Sequence, residues 1–268
     1  MKLRNRTFDS ADAPKLVVGL FSVASCFYEA FFEFITLFSL LYVQLASPLT
    51  QAGPMEYKRM LLVITFGLVG VKILVGLGYT FMGHILDRIQ SPFGKHRTFI
   101  LLGSTLTAFF FSILFFVTPL VKGWLYVFLF LLFYFLTYLS YCINDVAFFS
   151  YMNTFTSDER KKSTYSSLIN SVGVVGAYVT ASLSPSITAG DAKRNMTLFA
   201  LVLVVSYYVF QLLLGIFLKE RKSEPMLGKR DKESIFSPLK LLFRDRQIFL
   251  TMFVFFLLFT AQDLVIGN

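Results

Sequence analysis

Four ionisable side chains stand inside otherwise apolar runs of this sequence: Glu29 and Glu33 in FYEAFFEF, Lys72 in LVGVKILVG, and Asp145 in YCINDVAFF. A charge at the middle of a bilayer costs at least about 2.5–3.5 kcal/mol, so such residues turn toward a cavity or a partner. Glu29 and Glu33 are four apart and share one helical face. Two carboxylates that repel when both are charged suit proton uptake and release, and Lys72 could instead neutralise one of them. Asp145, with Asn144 beside it, is an acceptor able to take hydrogen bonds from two hydroxyls at once.

The elements that must position these groups follow from composition. Apolar residues make up 56% of the chain, phenylalanine occurs 33 times and only 15% of residues are charged, which is far from an ordinary soluble domain. A bilayer core of about 30 Å needs roughly 20 apolar residues of helix. The sequence supplies that length over seven segments: Leu16 to Ala46, Met60 to Leu86, Thr98 to Leu120, Trp124 to Met152, Ser163 to Ile187, Met196 to Leu218 and Ile248 to Ile266. Barrel strands would alternate apolar and polar residues, and FFFSILFFVTPL does not. The expected class is an all-α membrane protein.

The first apolar run is too long for the core of a cleavable signal peptide and holds two glutamates. The net charge of +9 could point to nucleic acid, but its placement points to a bilayer. Alternate gaps between the segments, counted from the N-terminus, carry nineteen Lys and Arg, and the intervening gaps carry five. By the positive-inside rule the N-terminus is cytoplasmic. No P-loop, nucleotide fingerprint, zinc spacing or catalytic triad occurs, so no enzymatic activity, cofactor or metal is expected, and Cys26 and Cys142 read as packing residues.

A polar stretch between the second and third segments, GHILDRIQSPFGKHR, has Gly83, Asp87 and Arg88 in the pattern G-x-x-x-D-R, followed by Gly94-Lys95-His96-Arg97. Gly83 would let neighbouring helices approach closely. Asp87 would accept hydrogen bonds from arginines or a helix N-terminus. Contacts of that kind form in one state of a gate and break in another. With NDVAFFSYMNTFTSDERKK further on, the stretch resembles the glycoside–pentoside–hexuronide:cation symporter family of the major facilitator superfamily.

The resemblance implies a twelve-helix secondary transporter whose substrate, a sugar or glycoside, sits between two six-helix halves. Residues 1–218 would then be the N-terminal six-helix bundle, 219–247 a basic cytoplasmic loop with an amphipathic segment, and 248–268 the start of the second bundle. A C-terminal half or a second copy would complete the machine. Asp145 falls at the family's sugar-binding helix 4 aspartate, Glu29 lies within about a residue of the helix 1 counterpart, and Asn144 and Tyr79 join them as expected substrate contacts. Phe27, Phe32, Tyr79, Tyr141 and Phe149 could stack on a sugar ring. Glu29, Glu33 and Lys72 are the expected cation-coupling set.

Two departures qualify the resemblance. The family's sodium-ligating helix 2 aspartates fall on Val75 and Tyr79, so the coupling ion, H+ or Na+, stays open. The sugar-binding helix 5 arginine falls near Asn170. The competing expectations are a half-length protein that acts only as an oligomer and a non-transporting seven-helix sensor.

Overall fold

The structure is a computed structural model that describes residues 15–51, 53–88, 95–152, 155–156 and 158–217, with 247, 250 and 254 besides. The expected loop 219–247 and seventh span 248–268 lie almost wholly outside the described residues. Among the described residues, six helices are long and apolar enough to cross a membrane. They are α1 (Lys15–Leu45), α2 (Pro54–Arg88), α3 (Lys95–Ser112), α4 (Gly123–Met152), α5 (Glu159–Ser182) and α6 (Ala192–Phe217). All six expected spans up to residue 217 are present.

Local chemistry sets the helix ends. Pro54 opens α2, where its missing N–H costs nothing and its fixed φ is already helical. Asp158 caps α5 by accepting from the Arg160 N–H at 2.9 Å. Asp191 accepts from the Arg194 N–H at 3.2 Å at the start of α6. Past Ser112, α3 continues through a π-turn over Ile113–Val117 and a 3-10 turn over Thr118–Leu120 that contains Pro119. Gly123 at φ 68° then reverses the chain into α4, a conformation a side chain would strain.

Helices in a bilayer gain little from the hydrophobic effect on meeting each other and associate by close packing, which small residues permit. Four seams of this bundle have such a residue. On α5, a Cβ added to Gly173 would stand 2.7 Å from Ser25 Oγ, and one on Gly176 would collide with the Cys26 carbonyl of α1. Gly103 of α3 lies against the Asn144 backbone of α4, where a Cβ would come 2.6 Å from its nitrogen. Gly67 of α2 sits under Leu131 of α4, and Gly215 of α6 under Leu101 of α3.

The centre is aromatic. Tyr28, Phe31, Phe34 and Phe38 of α1 form one buried cluster with Phe111 and Phe115, with Phe130 and Tyr134 of α4 and with Tyr207 of α6. α2 and α5 turn broad faces outward. Leu62, Phe66, Val69, Ile73 and Leu77 line the outward face of α2, whereas that of α5 carries Ser167, Asn170 and Ser171 together with Val174 and Tyr178.

Candidate functional site

The carboxylates Glu29, Glu33 and Asp145 gather where α1, α2 and α4 face one another. Asp145 of α4 accepts a hydrogen bond from the Tyr28 hydroxyl of α1. The hydroxyl of Tyr79, from α2, stands near enough to serve the same carboxylate as a second donor. Glu29, the residue after Tyr28, lies within electrostatic reach of both Asp145 and Glu33. Three carboxylates from two helices therefore share one region. Among the described residues no ion pair joins Asp145 or Glu29 to a basic group.

Aromatic stacking holds the donor in place. Tyr28 is fully buried, with its ring 4.7 Å from Tyr141 and 5.1 Å from Phe148, stacked on both. Tyr141 stacks in turn on Phe32 at 5.1 Å, and Phe149 meets Tyr28 edge-on. A tyrosine fixed on two sides delivers its hydroxyl with little freedom left to lose, which strengthens the bond it makes to a carboxylate. Gly173 of α5 packs against the Glu29 side chain, so the same small residue that draws α5 onto α1 limits where Glu29 turns.

The structure brings together Glu29, Glu33, Asp145 and Tyr79 and separates two other expected members from them. Lys72, two turns before Tyr79 on α2, is exposed and makes no ion pair to Glu29 or Asp145. Asn144 points elsewhere than Asp145, because successive helical residues differ in direction by roughly 100°. It is fully buried and donates from Nδ2 to the Tyr207 hydroxyl of α6 at 2.8 Å.

Of the five rings named as stacking candidates, Phe27 stacks instead on Phe210 of α6 at 4.5 Å. Val75 is buried, packed in the core at the position where a carboxylate was expected. Gly83 lies near the end of α2, but a Cβ there would meet nothing within 4 Å, so among the described residues no close helix contact uses it. Asp87 and Arg88 end α2, and their side chains lie outside the described set. Both cysteines are free.

Tyr28, Tyr207 and Gln211 escaped the sequence reading. Gln211 is fully buried one turn from Tyr207, and neither end of its amide has a partner among the described residues. A signal for Tyr28 was present: a phenol buried in a bilayer needs a hydrogen-bond partner, and this one adjoins an intramembrane glutamate. Tyr207 and Gln211, four apart in VVSYYVFQLLL, offered the weaker signal of two polar tips on one face of an apolar helix.

Chemically, the arrangement is an aromatic seam holding acidic acceptors and phenolic donors. It is fit to bind a neutral polyhydroxyl compound or to take up protons. Among the described residues no group of three or more His, Cys, Asp or Glu is placed to hold a metal ion.

A family model described as MFS/sugar transport protein matches residues 64–267. Among curated proteins, the chain is 24% identical over 203 residues to a raffinose carrier protein of Pediococcus pentosaceus, an alignment that covers 71% of this chain and 31% of that protein. The matched region is therefore less than two thirds of that relative's length.

Proposed function

The chain belongs to the MFS/sugar transport protein family, and on that premise we propose that it forms the N-terminal bundle of a sugar or glycoside transporter of the glycoside–pentoside–hexuronide:cation symporter type. What carries this reading is the group formed by Asp145, its donor Tyr28, and Glu29 between α1 and α4. Asp145 and Glu29 accept hydrogen bonds from sugar hydroxyls. Tyr79 donates to the sugar, and the half-buried ring of Phe32 offers a flat face to its apolar side. Asn144 supports from behind, through Tyr207.

The coupling ion in this reading is a proton shared among Glu29, Glu33 and Asp145. Val75 and Tyr79 leave the middle of α2 without a carboxylate ligand for sodium. Lys72, exposed on α2 and without an ion pair to the acidic residues, is left out of the coupling set in this reading. Gly83, Asp87 and Arg88 serve the cytoplasmic gate, with the N-terminus on the cytoplasmic side of the cell membrane, as the basic gaps favour. Alternating access needs a second bundle to rock against this one. A C-terminal half or a second copy supplies it, and the hydroxyl- and amide-bearing face of α5 is suited to meet it across a wet cleft.

The test is binding and counterflow of labelled raffinose and a panel of other glycosides, with protein that elutes as a folded species. Saturable binding that unlabelled sugar displaces is expected. Uptake by proteoliposomes should respond to an imposed proton gradient and not to a sodium gradient. Absence of binding across the panel would overturn the substrate class, and a sodium-driven response would overturn the proton.

A further inference from the structure

Apart from the acidic seam, five uncharged polar side chains are shut off from solvent where α3, α4 and α6 meet. They are Ser104 and Thr107 of α3, Asn144 of α4, and Tyr207 and Gln211 of α6, all at 0% exposure. Contacts between α3 and α6 set an antiparallel register. Leu101 lies over Gly215, Thr105 Oγ1 is 3.5 Å from the Tyr208 hydroxyl, and Thr107 stands within hydrogen-bond reach of the Tyr207 hydroxyl. Numbers rise along one helix as they fall along the other, which sets Ser104 opposite Gln211. Gly103, the residue before Ser104, lies against the Asn144 backbone. The group is thus walled by three helices, and Phe31 of α1 closes it by stacking on Tyr207 at 4.4 Å.

Tyr207 is satisfied there. It accepts from Asn144 Nδ2 at 2.8 Å, and Thr107, whose own proton goes to the Gly103 carbonyl at 2.7 Å, is at hand to accept from it. Three atoms are not satisfied. Asn144 Oδ1 and both Oε1 and Nε2 of Gln211 are buried with no hydrogen-bond partner among the described residues. Buried polar groups in folded proteins are almost always paired, with protein or with ordered water.

We propose that this junction is a hydration site, where ordered water is bound by the Gln211 amide, Asn144 Oδ1 and the Ser104 hydroxyl. The unpaired atoms select the occupant. Gln211 presents a donor and an acceptor, Asn144 an acceptor, and Ser104, whose proton goes to the Leu101 carbonyl at 3.2 Å, its lone pairs. The ligand must therefore both give and take hydrogen bonds, as water does. A cation would leave Nε2 unpaired, and an anion would leave both amide oxygens so. Gln211 lies one turn from Tyr207, roughly 6 Å along the axis, a span suited to bridging by water rather than to a direct bond. The site rests on no reading of the transported substrate. It bears on the acidic seam by position, since Asn144 precedes Asp145 and the water ties that turn of α4 to α3 and α6.

Synchrotron hydroxyl-radical labelling of the protein in nanodiscs reads such water, because radicals formed from a bound water attack the side chains beside it. Tyr207, resolved from Tyr208 by peptide fragmentation, should be oxidised severalfold faster than Tyr134, which is 1% exposed. Gln211→Leu should bring Tyr207 down to the rate of Tyr134. Equal rates in the unmodified protein overturn the proposal, as does a fast rate that survives Gln211→Leu.

The melting temperature supplies a sign. Gln211→Leu should lower it, because the water and Asn144 Oδ1 lose a partner. A rise would mean that the amide was unpaired throughout and would overturn the site. Ser104→Ala should also lower it, and by less in the Gln211→Leu background. Density of the unmodified protein fine enough to show ordered water should have a peak within hydrogen-bond distance of Gln211 and Asn144. A direct bond from the Gln211 amide to Asn144 or Ser104, with no such peak, overturns the proposal whatever the variants do.

Discussion

α1 meets two neighbours in opposite ways. Toward α5 it comes so close that two glycines, Gly173 and Gly176, stand where any side chain would strike α1. Toward α4 the space is filled by rings: Phe21, Tyr28 and Phe32 of α1 against Tyr141, Phe148 and Tyr151 of α4, at centroid separations of 4.5 to 5.6 Å. The first seam is made of backbone and tolerates nothing added. The second is made of large side chains, and among them it holds the buried acceptor and its donor. A helix pinned on one side by backbone contact is a firm base from which the other side presents functional groups.

The largest effect expected from this contrast is at Gly176. Gly176→Ala places a methyl group on the Cys26 carbonyl, which is backbone and cannot rotate away, and should destabilise the bundle by about 3 kcal/mol. Gly67→Ala meets only the flexible end of Leu131, at 2.5 and 2.7 Å, and should cost about 1 kcal/mol or less. Unfolding of the detergent-solubilised protein in increasing sodium dodecyl sulfate compares the two. Equal costs would remove the distinction between a backbone seam and a side-chain seam.

In the aromatic seam, function should change more than folding. Asp145→Asn should weaken sugar binding by about 1.5–3 kcal/mol, the worth of hydrogen bonds to a charged group. Detergent-extracted yield should hold, because neutralising an intramembrane charge eases insertion. Normal affinity at normal yield would exclude Asp145 as a sugar ligand.

A smaller change is expected for Tyr28→Phe. It keeps the stacking on Tyr141 and Phe148 and removes only the donor, at about 1–2 kcal/mol of stability. In the Asp145→Asn background that cost should shrink, since the bond's charged partner is already gone. A double-mutant cycle with no coupling would deny the interaction.

The smallest effect is expected at Lys72. Lys72→Met should alter stability by no more than about 0.5 kcal/mol, as for an exposed side chain without an ion pair to the site. If Lys72→Met instead restored yield to an Asp145→Asn protein that folds poorly, the two would be a structural pair, and the account of the acidic seam would fail.

The sequence determined the six described spans, since the length and continuity of apolar runs are set by bilayer thickness and are local properties of the chain. It also marked Glu29, Glu33 and Asp145, because the cost of burying a charge makes each one conspicuous wherever the helix later faces. What it could not decide was direction and partnership. Lys72 was as conspicuous as Asp145, yet it is exposed and makes no ion pair to the site, while Tyr79, two turns further along α2, stands beside Asp145.

Asn144 and Asp145 are neighbours in the chain and serve different helices, one bonding Tyr207 and the other Tyr28. Tyr28 itself lay unnoticed among 13 tyrosines and 33 phenylalanines. With aromatic residues so frequent, no ring stands out by type. A hydroxyl becomes a donor to Asp145 only when α1 and α4 are set at one depth with their backbones held apart. That placement depends on the glycines of α5 and α3 and the rings between the helices acting together, so only the tertiary structure could supply it.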